Sequence, residues 1–110
     1  MRFLFLLLIL PSIALADIKT FLWDAPATNV DGSPAVVTGY NLYISNTAGV
    51  YSVVAASPTA TTATVTVNTV GKFFAVVRAY NDTGESANSN EATFDVLQKV
   101  PGAPKNFKVQ

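Results

Sequence analysis

The sequence predicts an all-β fold of antiparallel strands, and three observations carry that expectation. Apolar and polar residues alternate at period two in several short runs. The clearest covers residues 71–80, where Phe73, Ala75, Val77 and Ala79 share one face and Phe74, Val76, Arg78 and Tyr80 the other. Turn-forming clusters separate the runs, notably Asn81-Asp82-Thr83-Gly84 and Asn29-Val30-Asp31-Gly32-Ser33-Pro34. No helical periodicity of useful length follows residue 16.

In chain order, Met1 and Arg2 precede an apolar run from Phe3 to Leu10, closed by Pro11-Ser12 and the small-residue pattern Ala14-Leu15-Ala16. This reads as a secretory signal peptide over residues 1–16, cut after Ala16. The run is far short of the roughly 20 residues needed to span a bilayer, so no stable membrane insertion is expected after cleavage. The mature chain from Asp17 has room for one small domain. Six basic residues then face seven acidic ones, a balance that points away from nucleic acid. Cysteine is absent, although the expected secreted, periplasmic or extracellular location would permit disulfides. Stability therefore rests on the core.

The first strand is expected at 18–23, with Phe21 and Trp23 facing inward and Ile18, Thr20 and Leu22 outward. Lys19 falls on the inward face, where a lysine at the domain edge still reaches water. A long loop at 24–38 follows. Asp24, Asn29 and Asp31 in it lack the ligand spacing of a calcium loop, and turn chemistry accounts for them. Tyr40, Leu42 and Ile44 alternate with Asn41, Tyr43 and Ser45 in a strand at 39–45. Further strands are expected at 50–56, 61–67, 72–80 and 91–97, the fourth with Ala63, Val65 and Val67 inward and its threonines outward.

Several of these segments carry a family resemblance. Leu22-Trp23-Asp24-Ala25-Pro26, Gly39-Tyr40-Asn41-Leu42-Tyr43, Ala79-Tyr80-Asn81, Gly84-Glu85-Ser86 and Ser89-Asn90 stand in the order and spacing of a fibronectin type III domain, from residue 18 to 96. The resemblance implies an immunoglobulin-like antiparallel β-sandwich over residues 17–98. It implies seven strands where six are expected: the strand A that normally precedes the tryptophan strand is missing. Phe73 stands where the family commonly has a tyrosine that ties down a corner. The tail at 99–110 contains Pro101-Gly102-Ala103-Pro104-Lys105-Asn106-Phe107-Lys108-Val109, which closely resembles the start of such a domain, with Phe107 and Val109 as the inward positions.

Chemistry is limited by what is absent. Without histidine or cysteine, the common zinc sites and the Ser-His and Cys-His nucleophile arrangements cannot be built. Carboxylates from Asp24, Asp31, Asp82 and Glu85 can gather at one pole, but a small sandwich seldom offers a cleft that holds a sugar ring. The expectation is a non-catalytic interaction or structural module with no cofactor and no metal. One form of it is self-assembly by donor-strand exchange, residues 103–109 of one molecule lying along residues 18–23 of another, head to tail. The alternatives are a monomeric module that recognises a protein or a surface glycan through Asn81, Asp82, Thr83, Glu85 and Ser86, and an accessory domain of a larger secreted enzyme. Asn81-Asp82-Thr83 is also a formal glycosylation sequon.

Overall fold

The computed structural model describes residues 16–110. The leader expected at 1–16 lies outside them except for Ala16. Seven strands form, with no helix among the described residues: β1 (Asp17–Leu22), β2 (Gly39–Ser45), β3 (Val54–Ala56), β4 (Thr62–Val67), β5 (Gly71–Asn81), β6 (Gly84–Glu85) and β7 (Ala92–Val96). They make two antiparallel sheets. One contains only β1 and β4; in the other β3, β2 and β5 are neighbours, and β6 and β7 both pair with β5.

The centre is the β2–β5 ladder, which runs without a break from Gly39 opposite Tyr80 to Ser45 opposite Phe74. Because opposed residues share a face, Tyr40, Leu42 and Ile44 meet Ala79, Val77 and Ala75 on the inner side. Leu42, Ala63 and Ala75 are the buried heart of the core, with Phe21, Trp23, Ile44, Val65, Val77 and Phe94 packed around them. Aromatic rings close the two ends. Trp23 meets Tyr40 edge-on at 5.4 Å, and Phe21 meets Phe94 edge-on at 5.6 Å. Phe73 stacks on Phe94 at 5.4 Å, so at this corner a ring contact stands in place of a tyrosine's hydroxyl bond.

Two details differ from the sequence expectation. The strand expected at 50–56 shrinks to Val54–Ala56. Its first half is pulled onto the outer face of the second sheet, where Gly49 N–H and Tyr51 hydroxyl both donate to the Glu91 carboxylate. The return after β5 is split into β6 and β7, with β6 lying in what the sequence presents as an exposed loop. Between them the ladder continues through hydroxyls: Ala79 N–H donates to Ser86 Oγ at 2.9 Å and Val77 N–H to Ser89 Oγ at 2.9 Å. The two serine N–H groups return bonds to the carbonyls of Ala79 and Val77 at 2.7 and 3.0 Å. The outer face of β5 is itself partly covered, since Val76 and its ladder partner Tyr43 are both buried.

Gly39 is required by close approach. A Cβ there would meet the hydroxyl oxygen of Tyr80 at 2.7 Å and Cζ at 2.9 Å, because the Tyr80 ring lies across its glycine partner. Leu42→Ala is expected to cost about 2–5 kcal/mol and Gly39→Ala about 1–3 kcal/mol, both large beside the roughly 5–15 kcal/mol that holds a small domain folded. Urea unfolding of the two variants beside the parent chain measures both.

Candidate functional site

Two regions present themselves: the pole where the long loops meet, and the open side of the small sheet. At the loop pole, side chains fix the backbone. Asp31 Oδ1 accepts from Ser33 N–H at 3.0 Å and from Ser33 Oγ at 2.5 Å, while Asn29 Nδ2 donates to Ser33 Oγ and to the Pro34 carbonyl at 3.0 and 3.1 Å. Those bonds, the Ser33 hydroxyl foremost, hold the Asp31 carboxyl below its usual range. Gly32, at φ 88°, makes the turn. Asn81 joins the two loops, donating from Nδ2 to the Val36 carbonyl at 2.8 Å and accepting from Thr83 N–H at 2.8 Å. Between the loops lies an open groove of about 520 Å³, with Val30, Asp31, Val36, Val37, Tyr80 and Thr83 among its walls.

The five loop residues singled out by sequence divide by what they already bind. Asn81 ties the loops and Ser86 carries a ladder rung. Glu85 is the hub of a network on the outer face of the large sheet. Its carboxylate accepts from Tyr43 Oη at 2.5 Å, Asn41 Nδ2 at 2.8 Å and Arg78 Nη1 at 3.0 Å. Arg78 also donates from Nε to Asn88 Oδ1 at 2.7 Å and lies 4.2 Å over the Tyr43 ring. The bonds from Tyr43, Asn41 and Arg78 hold the Glu85 carboxyl below its ordinary 4.5. Only Asp82 and Thr83 keep side chains with no hydrogen bond among the described residues, and both are exposed. Asn41, Tyr43 and Arg78 escaped the sequence reading because their shared partner lies on another strand, up to 44 residues away.

The open side is built by β1. This strand pairs with β4 from Asp17 opposite Val67 to Leu22 opposite Thr62, and its other edge meets no strand among the described residues. Beside that edge the two sheets part in a cleft of about 90 Å³ whose walls include Phe21, Trp23, Leu42, Ala75, Val77 and Ala92. The Trp23 indole N–H is buried and has no acceptor among the described residues. Lys19 points inward, pairs with Asp17 at 3.5 Å and reaches 5.9 Å from the Phe94 ring centre. An inward charge of this kind blunts an exposed edge. From Leu97 to Gln110 the chain forms no strand and every residue is exposed, Phe107 at 91% and Val109 at 90%.

The strand order and the open slot can be compared with solved structures. The solution structure of the fibronectin type III domain derived from human KIAA0970 protein superposes with a TM-score of 0.62, over 86% of this chain and 74% of that one, at 22% identity. The fold is that of a fibronectin type III domain. No protein-family model matches the sequence, and no curated protein matches it. In the terms of that fold, β1 and β4 are strands B and E, β3, β2 and β5 are C′, C and F, and β6 with β7 is a divided G. The edge of β1 that meets no strand among the described residues is where strand A lies in that fold. Among the described residues no group of three or more acidic side chains gathers as a metal site.

Ionisation ties this site to stability. Glu85 has a depressed folded-state pKa, so its contribution is complete above about 4.5 and is lost as the pH falls through the folded value. Tyr51, pushed up to about 12 by burial and by its bond to Glu91, contributes below pH 10 and loses that contribution as the pH rises from 10 to about 12. Thermal unfolding across pH is expected to show both limbs. Glu85→Gln should lower the plateau and flatten the acid limb while leaving the alkaline limb in place.

Proposed function

We propose that the protein is a secreted or periplasmic, non-catalytic structural module that assembles head to tail by donating residues 103–109 as strand A to the β1 edge of a neighbour. The observation that carries this reading is the coincidence, in one chain, of a β1 edge that meets no strand among the described residues, beside an apolar cleft, and a tail with Phe107 and Val109 exposed. An antiparallel strand at that edge would bond the backbone groups of β1, and alternate side chains would enter the cleft. Opposed residues share a face, so Phe107 belongs opposite Lys19 or Phe21, and Val109 two residues nearer Asp17. A backbone carbonyl arriving there also offers the Trp23 N–H the acceptor that buried indoles usually have.

The tail is badly placed to fill its own slot. β7 ends at Val96 opposite Gly71, at the same corner as Asp17 opposite Val67. A strand antiparallel to β1 has to start at the other end, beside Leu22. Residues 97–102 span at most about 20 Å when extended, which is consumed in reaching that end and leaves nothing for the reversal. A neighbour stacked on the loop pole has no such difficulty, because its tail emerges beside the start of the slot. The contact is heterologous, so repetition builds an open chain of molecules. Asn106, at φ 56° in the free tail, must become extended on insertion.

Light scattering on a sizing column tests this with mature protein 17–110 beside a version ending at Val100. Concentration-dependent oligomers for the first and a monomer for the second are expected, with a blue shift of Trp23 emission on assembly, Trp23 being the single tryptophan. Phe107→Asp should leave the full-length chain monomeric. Monomers of equal melting temperature for both lengths would overturn the assembly reading.

A further inference from the structure

The donor-strand reading says where the tail ends but not how the right end of a neighbour is found, and the distribution of charge bears on that. Among the described residues two ion pairs form, Lys19 with Asp17 and Arg78 with Glu85. Lys72 lies opposite Asp95 on the neighbouring strand. The acids outside these relationships and outside the Glu91 clasp are Asp24, Asp31 and Asp82, all exposed in the loops of one pole. The bases outside them are Lys99, Lys105 and Lys108, all exposed in the tail, which leaves from the opposite pole. The molecule is nearly neutral overall and strongly polar along its length.

Resting on the donor-strand reading, we infer that the groove at the loop pole is the landing surface for the root of a second copy's tail, residues 97–102. The groove supplies what that segment lacks. Leu97 and Val100 are 69% and 89% exposed in the tail root, and Val30 and Val36 are 107% and 66% exposed in the groove wall. Lys99 lies between the two apolar residues of the root, and Asp31 lies in the groove wall. Residues 97–102, at about 20 Å, are long enough to cross the pole before residue 103 begins the strand. Opposite charges at the two ends favour head-to-tail encounters and disfavour head-to-head and tail-to-tail ones, an effect on association rate and partner choice more than on final affinity.

Charge reversal in the full mature chain tests it, read by sedimentation velocity between about 0.01 and about 1 M salt, across which screening shortens from about 30 to about 3 Å. Asp24 and Asp82 make no side-chain hydrogen bond among the described residues, so Asp24→Lys with Asp82→Lys leaves the loop ties intact. The matching tail variant is Lys99→Glu with Lys105→Glu. Each variant alone is expected to associate at least several-fold more slowly than the parent at low salt, and an equimolar mixture of the two should recover much of the parent rate. Assembly that Phe107→Asp abolishes, but that salt and both charge variants leave unchanged, would overturn this inference and leave the donor-strand reading standing. A parent chain that is monomeric at every salt concentration would remove both.

Discussion

The unbroken pairing of β2 with β5 is the constraint on which the rest depends. Seven residue pairs in continuous register set two rows at once. The inner row, which includes the buried Leu42 and Ala75, is the surface against which the small sheet packs its Phe21, Ala63 and Val65. The outer row brings Asn41, Tyr43 and Arg78 within reach of one carboxylate. A slip by one residue would set Leu42 opposite Val76 or Arg78 and turn one strand over, so that either Arg78 enters the core or Leu42 leaves it. Core and polar network therefore specify the same register from opposite faces.

Much of the fold was legible because period two survives where a strand has one wet face. β1 and β4 show it in their burial, while β2 and β5 keep it in the residues they present to the core although Tyr43 and Val76 on their outer face are also buried. Legibility failed where a side chain does the work of a backbone or reaches across the sheet. Residues 50–53 carry strand-forming side chains, yet Tyr51 and Gly49 are held by Glu91, forty or more residues away, and pairing waits until Val54. Glu85 stands in a run of turn formers and reads as a free loop acid. Its role follows only once β5 and β2 are paired and the short β6 sets it beside Tyr80.

The loops were legible as turns but not as a surface. Asn, Asp, Gly and Ser announce a change of direction through local bonding, and Asp31 with Ser33 does just that. That Asn81 would fasten the second loop to the first through Val36 is a tertiary fact with no local signal. On the open side the reverse held. The expectation of a missing first strand and of a strand-like tail comes from the order of the motifs alone, whereas the cleft and the Trp23 N–H without an acceptor among the described residues needed coordinates.

The two serine rungs between β6 and β7 bear on mutational tolerance. A backbone rung is indifferent to the residue that carries it, so exposed strand positions usually accept many side chains. At Ser86 and Ser89 the acceptor half of the rung is the side chain, and each hydroxyl also donates onward, to the carbonyls of Ala87 and Asn90. Only a short hydroxyl can accept the β5 amide and still donate to the next carbonyl, which leaves serine and, where its methyl group fits, threonine. Solvent exposure, ordinarily a guide to which positions accept substitution, is therefore a poor guide at Ser86 and Ser89.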